Sequence, residues 1–353
     1  MKVCPTCNTE FSDDAAFCSR DRSPLWPSGR VDRDSVDLVG RVIGERYQVE
    51  RRIGAGGMGE VYLARHVLMG RPSALKVLNR DVIQETDAIS RFNREATNAS
   101  RISHPNVCAI YDFGLTADGL VFLAMEYLEG RTLRETLADW GPLPVDRATA
   151  LLVQCAAGLQ AAHDLGIVHR DLKPENVMIG GPDSSTAKLV DFGIAKAIVG
   201  DSGPGVTRSG FIVGTPEYMS PEQLAGVPLD ARSDQYSLGL VYYEMLTGAH
   251  PFAGESVRGS LAKRMTEQPR LLTETRPSGQ FPPNLQSVIN RVLARRPEER
   301  YASVREFAAA ASQAVTEINA PSAARSANWI ALGLGVLALL TAILLILGWR
   351  ATP

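Results

Sequence analysis

The chain has 353 residues, of which 45% are hydrophobic and 22% are charged, and this composition excludes a mostly disordered or collagen-like protein. Its 37 Lys and Arg residues nearly balance its 39 Asp and Glu residues, so the net charge of -2 gives no overall attraction for nucleic acid. Five cysteines in a chain of this length exclude a small secreted scaffold held together by disulfides. At about 150 residues per domain, the length predicts two to three domains.

The first 25 residues contain three of the five cysteines, which indicates a local metal site. Cys4 and Cys7 form a C-x₂-C pair, and Cys18 begins a C-x₂-D pattern. A unit this small needs a staple because it cannot bury a hydrophobic core. It resembles half of a zinc ribbon, so we expect a structural Zn²⁺. The predicted ligands are Cys4, Cys7, Cys18 and Asp21.

Two alternatives stay open for this unit. Water or a residue from elsewhere could replace Asp21 as the fourth ligand, and the cysteines could form a redox-active or vestigial knuckle. Nucleic-acid binding is not favoured, because the cations of residues 1–25 are outnumbered by carboxylates and form no basic patch. We expect a structural or protein-docking role.

Composition divides the chain after its first 25 residues into a linker and a larger folded region. No apolar stretch follows Met1, so we expect no secretory signal peptide. Residues 26–44 mix Pro, Ser, Gly, Asp and Arg without periodicity, which is typical of a linker. Residues 45–318 alternate strand-like and helix-like segments. About 270 residues are many for a single core, so we predict two lobes.

Gly54, Gly56 and Gly59 form a G-x-G-x-x-G pattern, which lets a backbone approach phosphate oxygens and donate N–H groups to them. A dinucleotide-binding turn has the same pattern but opens a helix. Here residues 60–64 read Glu-Val-Tyr-Leu-Ala, which is typical of a strand. We therefore predict a strand–loop–strand hairpin that covers phosphates. The chain contains no G-x-x-x-x-G-K-[ST] sequence, which excludes a P-loop.

Lys76 lies seventeen residues after Gly59, inside the apolar run 73–78. A lysine within such a strand must be paired, because an isolated buried charge is costly. We expect its ammonium to bind nucleotide phosphates and to be held by Glu95, which lies on a predicted helix. The alternatives are an edge-strand lysine with a solvated head and an exposed surface glutamate.

Two predicted loops carry oxygen-bearing side chains. The run His169-Arg-Asp-Leu-Lys-Pro-Glu-Asn176 follows an apolar helix, and Asp191-Phe-Gly193 follows the strand-like residues 187–190. Asp171, Asn176 and Asp191 are thus placed on neighbouring loops, and hard oxygens suit Mg²⁺ bound to substrate phosphates. Phosphoryl transfer needs positioning and charge neutralisation. We predict that one carboxylate orients the attacking hydroxyl while the others hold the metal.

In this order and spacing, the motifs resemble those of eukaryotic-like protein kinases over about residues 45–318. Residues 54–62 and 214–223 are most similar to bacterial Ser/Thr kinases. The resemblance implies an α+β fold with a small β-rich N-lobe and a larger helical C-lobe, to which the sequence adds the zinc ribbon and one transmembrane helix. One departure is Ser220, which stands where Ala precedes Pro-Glu in the family pattern. No catalytic position is missing.

The resemblance implies roles for single residues. Lys76, held by Glu95, pairs with the α- and β-phosphates of ATP. Asp171 is the catalytic base, and Lys173 touches the γ-phosphate. Lys173 and Thr215 favour Ser or Thr as the acceptor. The implied ligands of Mg²⁺, or of Mn²⁺ in its place, are Asn176 and Asp191. The implied ATP-binding residues also include Ile53, Gly54, Ala55, Gly56, Gly57, Gly59, Val61, Ala74, Met125, Glu126, Leu128 and Met178.

Structural roles also follow from the resemblance. Residues 125–128 are identified as gatekeeper and hinge, with adenine bound by the backbone of Glu126 and Leu128. The remaining implied elements are a hydrophobic spine through His169 and Phe192, a buried ion pair of Glu222 with Arg300, and a brace for the catalytic loop at Asp234. From their apolar surroundings, Cys108 and Cys155 are expected to be buried thiols.

Residues 194–214 are rich in Gly, Ser and Pro, which predicts a flexible loop. Arg170 directly precedes Asp171, and a phosphate on the loop would supply it with acceptors. Thr207 and Ser209 lie where bacterial relatives carry activating phosphosites. Our hypothesis is that autophosphorylation there orders the loop. Ordinary loop hydroxyls are the alternative.

Residues 329–349 form a run of 21 uncharged residues bracketed by Trp329 and Trp349. As a helix it would span roughly 31 Å, which matches a hydrocarbon core of about 30 Å. We predict one transmembrane helix, preceded by a linker at 319–328 and followed by a tail at 350–353 that leaves no room for an ectodomain. A buried or amphipathic terminal helix is the alternative.

The sequence thus predicts a Ser/Thr protein kinase at the cytoplasmic membrane, with its lobes in the cytoplasm and with ATP and Mg²⁺ as cofactors. Its expected partners are protein substrates and a second copy of itself. Our hypothesis is that clustering in the membrane brings two copies together, as in a dimer, so that they phosphorylate each other in trans. A catalytically silent, membrane-tethered scaffold is the alternative function. The complete set Lys76, Asp171, Asn176 and Asp191 argues against it.

Overall fold

Strands dominate the first part of the described chain and helices dominate the second. The computed structural model describes residues 2–4, 9–12, 14–15, 17–20, 25–27, 38–56, 59–78, 88–193, 216–254 and 256–319. Several predictions fall partly or wholly outside these residues: the two linkers, two of the zinc ligands (Cys7 and Asp21), the ATP-binding residue Gly57, the hydroxyls of Thr207, Ser209 and Thr215, and residues 329–353.

A small antiparallel sheet lies at the N-terminus. Its strands are β1 (Lys2–Val3), β2 (Glu10–Phe11) and β3 (Trp26–Pro27), in the order β2-β1-β3. Cys4 follows β1 directly and is fully buried, as is most of Cys18, and both pack with Leu25. The buried cysteines therefore take the place of a larger core in this unit.

A six-stranded antiparallel sheet forms the first lobe, in the order β4-β5-β6-β7-β9-β8. The strands are β4 (Val42–Ile43), β5 (Tyr47–Gly56), β6 (Gly59–His66), β7 (Pro72–Leu78), β8 (Ile110–Leu115) and β9 (Val121–Glu126). Side chains alternate between the faces of each strand. In β7, Leu75 and Val77 join one apolar cluster, whereas Ala74 and Leu78 join the other.

Helix α1 (Ala88–Ser100) packs against the second of these faces. Its buried residues Ala88, Phe92, Ala96 and Ala99 recur every three or four positions, which makes one apolar stripe along the helix. The ring of Phe92 meets that of Phe113 in β8 edge-on, with centroids 6.1 Å apart. This contact sets the side of the sheet on which α1 lies.

The second lobe is built of helices around α5. The helices are α2 (Leu133–Trp140), α3 (Val145–His163), α4 (Pro221–Ala225), α5 (Ala231–Thr247), α6 (Val257–Thr266), α7 (Leu272–Thr275), α8 (Leu285–Val292) and α9 (Val304–Asn319). From Ser233 to Thr247, every residue of α5 is buried. A helix buried on all sides is a core element. The side chain of Asp230 caps its N-terminus, accepting from the backbone N–H of Arg232 at 2.8 Å.

A three-stranded antiparallel sheet of β10 (Arg131–Thr132), β11 (Val177–Gly180) and β12 (Thr186–Leu189) lies between the lobes. The first lobe is tied to it through residues 106–108. The backbone N–H of Cys108 donates to the carbonyl of Leu189, and that of Leu189 donates to the carbonyl of Asn106, both at 2.9 Å. These bonds fix the end of β12, from which the Asp191 loop starts. The two-lobed arrangement predicted from the sequence is confirmed.

Within the described residues, no helix is both long enough and apolar enough to cross a membrane.

Glu222 and Arg300 form a buried, two-pronged ion pair. The guanidinium donates to Oε1 at 2.7 Å and to Oε2 at 2.8 Å, and the Arg300 side chain is fully buried. The hydroxyl of Ser233 also donates to Oε1, at 2.8 Å. Burial opposes ionisation of Glu222, but the hydrogen bonds and charge of Arg300 lower its pKa. The pair joins α4 to the segment before α9 and confirms the predicted ion pair.

We predict that Arg300→Met lowers the free energy of unfolding by about 3–5 kcal/mol, because it leaves a buried carboxylate without its partner. Chemical denaturation measures this. The control is Arg296→Met, which removes an exposed pair with Glu299 at 3.5 Å and should cost less than about 1 kcal/mol. Since the pKa of folded Glu222 lies below its unfolded value, the pair stabilises above that value and loses this stabilisation as pH falls. Equal losses in the two variants would contradict the prediction.

Candidate active site

A buried carboxylate in α5 shapes the loop that carries Asp171. Asp234 is 1% exposed and accepts from the backbone N–H groups of His169 at 2.7 Å and Arg170 at 2.9 Å. His163 Nε2 lies 2.8 Å from the same carboxylate. Burial would raise the pKa of Asp234, but the hydrogen bond and charge of His163 lower it, so the group is ionised. The predicted brace is therefore present in the structure.

The loop is wound tightly around this carboxylate. Arg170 has a φ of 63°, a left-handed conformation that few residues other than glycine adopt. Gln223 in α4 donates to the carbonyl of Arg170 at 2.8 Å. With its N–H on Asp234 and its carbonyl on Gln223, the Arg170 backbone is held from both sides. This fixes the position of the next residue, Asp171.

The Asp191 loop lies against the same segment. His169 is fully buried, and its Nε2 lies 3.1 Å from the carbonyl of Val190. Its ring centroid is 4.5 Å from that of Phe192, as expected for the predicted spine. Burial lowers the pKa of His169, so the ring is neutral and Nε2–H donates. A Cβ on Gly193 would lie 2.7 Å from the His169 carbonyl, so only glycine allows the two loops to approach this closely.

Asp171, Lys173 and Asn176 form one polar group on the first loop. The Asn176 amide donates to the backbone carbonyl of Asp171 at 2.7 Å and to its Oδ2 at 3.3 Å. Lys173 Nζ lies 3.2 Å from the same Oδ2. The backbone N–H of Val190 donates to the carbonyl of Asn176 at 3.0 Å, which brings the two loops together. The three oxygen-bearing side chains are therefore neighbours, as the sequence predicted.

This donor set fits a magnesium ion bound to phosphates. The amide nitrogen of Asn176 is used within the loop, and no described residue donates to its Oδ1. Asp191 has a φ of 58°, and its carboxylate lies beside Lys76. Carboxylate and amide oxygens are hard ligands, and Mg²⁺ needs few of them from a protein. Asn176 and Asp191 would hold the ion, as the resemblance implies.

The structure differs from the sequence prediction at Glu95. Lys76 Nζ pairs with Asp191 Oδ2 at 2.8 Å, whereas Glu95 lies on α1 as predicted but pairs with its neighbour Arg94 at 3.2 Å. The left-handed turn at Asp191 brings its carboxylate to the ammonium from the other lobe. A lysine whose side chain is only 13% exposed needs one such partner, and here Asp191 provides it.

The glycine pattern forms the predicted hairpin. Strands β5 and β6 pair antiparallel up to Gly56 and Gly59, on either side of residues 57–58, which are outside the described part. Gly59 has a φ of 155°, and a Cβ there would lie 2.1 Å from the carbonyl oxygen of Val77. A Cβ on Gly56 would meet nothing within 4 Å. Gly59 thus brings the hairpin close to β7, while open space beside Gly56 leaves room for a bound group.

The predicted hinge lies at the end of β9. In the sheet register, Ala74 lies opposite Met125, and Met178 is half-buried on β11 of the other lobe. The backbone N–H of Glu126 donates to the carbonyl of Ala109 at 2.8 Å. The Cys108 thiol donates to the carbonyl of Glu126 at 3.5 Å, and Glu126 is one of the two residues whose backbone the resemblance assigns to adenine. Burial and the charge of Glu126 raise the pKa of Cys108 to about 12, so it is a protonated thiol.

Lys188 is a residue of the site that sequence reasoning missed. Its Nζ lies 2.6 Å and 2.7 Å from the two carboxylate oxygens of Glu126, which joins β12 to the hinge. The signal was present, because Lys188 interrupts an apolar strand in the same way as Lys76. The ion pair connects the two lobes at the position where they are joined by the chain.

Arg264 was also missed. It is fully buried, and its guanidinium donates to the carbonyls of Pro216 at 2.9 Å, of Glu217 and of Met219. Arg134 adds a second anchor for the same segment, donating to the Tyr218 hydroxyl at 2.6 Å. Nothing in the polar sequence of α6 distinguishes Arg264 from its neighbour Lys263. These two arginines fix residues 216–219. In the sequence, these residues follow directly after the segment that carries Thr207, Ser209 and Thr215.

The N-terminal cysteines are only partly described. Cys4 and Cys18 are buried, and the backbone N–H of Arg20 donates to the sulfur of Cys18 at 3.4 Å. Among the described residues, no group of three or more His, Cys, Asp or Glu side chains is placed to hold a metal ion. Cys7 and Asp21 lie outside those residues.

We predict a pH effect from His250, which is half-buried beside residues 216–219. Its Nε2 binds the carbonyl of Glu217 at 2.9 Å and its Nδ1 accepts from Phe252 N–H at 3.2 Å, which requires a neutral ring. Burial and the charge of Arg264 lower its pKa to about 3. The unfolded chain binds the proton near pH 6.5, so acidification from pH 7.5 to 5 should cost roughly 2 kcal/mol of stability.

Denaturation at the two pH values measures this for the wild type, His250→Gln and His104→Gln. On acidification, the wild type and the His104 variant should each lose roughly 2 kcal/mol more of their free energy of unfolding than the His250 variant. His104 is a suitable control because its ring is half-buried like that of His250 and its Nδ1 also accepts a backbone N–H, from Asn106 at 3.1 Å, but no carbonyl among the described residues binds its Nε2. Equal pH dependence in all three proteins would refute the assignment of a neutral His250.

The comparisons with known proteins agree with this geometry. The protein-family model described as "Protein kinase domain" matches residues 47–315. The serine/threonine-protein kinase pkn3 of Myxococcus xanthus is 42% identical over 281 residues, which cover 78% of this chain and 51% of that protein. The serine/threonine-protein kinase PknB of Mycobacterium tuberculosis is 40% identical over 270 residues, covering 76% of this chain and 42% of that protein.

The chain thus spans about half, or less, of the length of the curated relatives it matches. Among solved structures, the crystal structure of the Mycobacterium tuberculosis PknI kinase domain is similar with a TM-score of 0.63 and 33% identity. That match covers 79% of this chain and the whole of the PknI domain. The family model covers more than half of the chain, and the fold and site geometry match it. This chain belongs to the protein kinase family.

Proposed function

We propose that this chain is an ATP-dependent Ser/Thr protein kinase. One observation carries the proposal: Asp171, Asn176 and Asp191 are brought together on two touching loops, with Lys76 paired to Asp191 beneath the glycine hairpin. Phosphoryl transfer depends on positioning and on neutralising phosphate charge, and this group of residues provides both.

Each residue has a distinct task in this proposal. Asp171 accepts the hydrogen bond of the acceptor hydroxyl and orients it, and Lys173, at 3.2 Å from its carboxylate, is near enough to share the phosphate that is transferred. Lys76 supplies a positive charge for the other phosphates. When bound, Mg²⁺ neutralises phosphate charge and aligns the oxygens. Asn176 and Asp191 hold it from the two loops.

The pair of Lys76 with Asp191 has a consequence for this task. The two groups neutralise each other at 2.8 Å, yet the proposal requires Lys76 for phosphate and Asp191 for the metal. Nucleotide binding must therefore separate them. Glu95 lies on α1 with an exposed partner, Arg94, which gives it freedom to replace Asp191 beside Lys76. Because the pair of Lys76 with Asp191 engages two groups that the reaction needs, it also supports the second candidate function, a catalytically silent scaffold.

The proposal includes activation by autophosphorylation. Thr207, Ser209 and Thr215 lie outside the described residues. Support comes from the described residues on either side of this segment. Beside Asp171, the backbone of Arg170 is held by Asp234 and Gln223. After the segment, residues 216–219 are held by Arg264. A phosphate near Arg170 would gain charge-assisted hydrogen bonds and order the loop between these fixed points.

We predict that the full chain, incubated with Mg-ATP, phosphorylates itself on Thr207 or Ser209, and that Asp171→Asn lowers the rate by more than about 100-fold because it removes the group that orients the hydroxyl. Mass spectrometry maps the sites. Asp146→Asn, an exposed position at the start of α3, is the matched control and should leave the rate unchanged.

The rate per molecule should rise with protein concentration if the reaction occurs in trans. Replacing Thr207 and Ser209 by Ala should lower activity on other substrates. ATP binding without transfer in the wild type would favour the scaffold over the kinase. Transfer that persists in Asp171→Asn would contradict the role of Asp171.

We also propose a structural Zn²⁺ in the N-terminal unit. The support is the burial of Cys4 and Cys18 and the backbone N–H that donates to the Cys18 sulfur at 3.4 Å, a bond that stabilises a thiolate. Atomic absorption on the full chain should find one zinc per chain, lost in Cys18→Ser and retained in Cys155→Ala, whose cysteine lies in α3. Zinc below 0.1 per chain in the wild type (roughly the background of a site that binds none) would end this proposal.

We propose, finally, that residues 329–349 anchor the kinase in the cytoplasmic membrane with its lobes in the cytoplasm. The support is the sequence: 21 uncharged residues that begin at Trp329 and end at Trp349. We predict that the full chain sediments with membranes and resists extraction by carbonate. Leu339→Arg, at the midpoint of the run, should release it, because an arginine there costs about 2.5–3.5 kcal/mol, whereas Leu339→Ile should not. Extraction of the wild-type chain would show that no span is formed.

A further inference from the structure

The first lobe has a cavity away from the candidate active site. It lies on the face of the sheet opposite to the one that presents Lys76. Ser73, Leu75 and Val77 alternate along β7 on this face, and Lys76 lies on the other. The cavity has a volume of about 210 Å³. We call it the outer pocket, and its lining includes Arg46, His66, Arg71, Ser73, Tyr111 and Asp112.

An orphaned hydroxyl indicates that the outer pocket is built for a ligand. Ser73 is 1% exposed, and its Oγ has no hydrogen-bond partner among the described residues. Buried polar atoms in proteins are nearly always satisfied, so each exception requires an explanation. A ligand group that hydrogen-bonds to this hydroxyl provides one.

The other polar groups of the outer pocket are mainly donors. His66 is 9% exposed, and its Nδ1 accepts the backbone N–H groups of Leu68 and Met69, both at 3.3 Å. Nδ1 therefore carries no proton, and the neutral ring holds its proton on Nε2 as a donor. Hydroxyl, imidazole N–H and guanidinium groups together favour a ligand rich in acceptors.

The charge of the outer pocket is positive. Arg46 is balanced by Asp112, with Nη1 2.9 Å from Oδ2. Arg71 has no carboxylate partner in the part of the chain that the structure describes; it lies over the ring of Tyr111, with Cζ 3.5 Å from the ring centroid. Its Nη2 also donates to the Tyr111 hydroxyl, so Tyr111 holds the guanidinium in place. The remaining N–H groups of Arg71 have no carboxylate to bind among the described residues and can donate to an oxyanion.

Size limits the ligand to a small group. Pockets for drug-sized ligands measure about 300–1,000 Å³, and the outer pocket is smaller than that range. A phosphoryl group with a few further atoms fits, and a whole nucleotide does not. Ser73 lies opposite Glu126 in the register of β7 and β9, so the pocket borders the strand end that carries the hinge.

We propose that the outer pocket binds a phosphate monoester, with Arg71 and Ser73 as its main contacts. The ligand is either a small phosphorylated molecule or a phosphorylated side chain, since both present the same dianionic group.

The test is a titration of the full chain with inorganic phosphate and, separately, with N-acetyl-O-phosphothreonine amide, at constant ionic strength and followed by phosphorus NMR line broadening. Arg71→Ala should raise the dissociation constant about tenfold or more, because it removes a charge-assisted hydrogen bond. Ser73→Ala should raise it severalfold without lowering the unfolding temperature, because its hydroxyl has no protein partner to lose.

Two controls make the outcome specific. Arg65→Ala removes an exposed arginine that neighbours His66 and pairs with Glu50 at 2.7 Å, and it should leave binding unchanged. Lys76→Met should also leave binding unchanged, because Lys76 serves the nucleotide site. Tighter binding of the phosphothreonine compound would identify a phosphorylated side chain as the ligand. Tighter binding of inorganic phosphate would identify a small phosphorylated molecule as the ligand. Binding that survives both Arg71→Ala and Ser73→Ala, or that is lost in Lys76→Met, would overturn the proposal.

Discussion

The carboxylate of Asp234 is the constraint on which the candidate active site depends. It is buried in the most enclosed helix of the second lobe, and its oxygens accept from two consecutive backbone N–H groups of the catalytic loop. An ionised group in this position must satisfy its acceptors, so the loop has to fold around it. The left-handed turn at Arg170 follows from this requirement. The Asp191 loop is then shaped by its contacts with His169.

Much of the fold was predictable because its signals are local. The residues after Gly59 have a strand pattern, and the structure shows the hairpin. The two polar loops could also be located from the sequence, because each directly follows a predicted element: a helix before His169 and a strand before Asp191. By contrast, the pair of Glu222 with Arg300 joins positions 78 residues apart. No local pattern reveals such a contact, and only the resemblance to a known family implied it.

The partner of Lys76 shows where local reasoning ends. The sequence requires that a lysine in an apolar strand meet a carboxylate, and it does. It cannot choose between Glu95 on α1 and Asp191 on the loop, because the choice depends on how helix and loop pack against the sheet. Lys188 meets the same requirement through Glu126, and the rule applied to Lys76 would have identified it. Arg264 needed the tertiary structure, because its partners are backbone carbonyls that carry no sequence signature.

The buried guanidinium of Arg264 has a consequence for how far residues 216–219 can vary. The carbonyls of three of these four residues are held by one side chain that lies outside the segment and whose described hydrogen bonds go only to main-chain oxygens. The main chain at Pro216, Glu217 and Met219 is therefore held by bonds that do not involve their own side chains, whereas Tyr218 is held through its hydroxyl. Glu217 can change in size or charge while the main chain beneath it stays in place. The structure in this way separates the shape of the main chain at Glu217 from the chemistry of its exposed side chain, so that one can be altered without rebuilding the other.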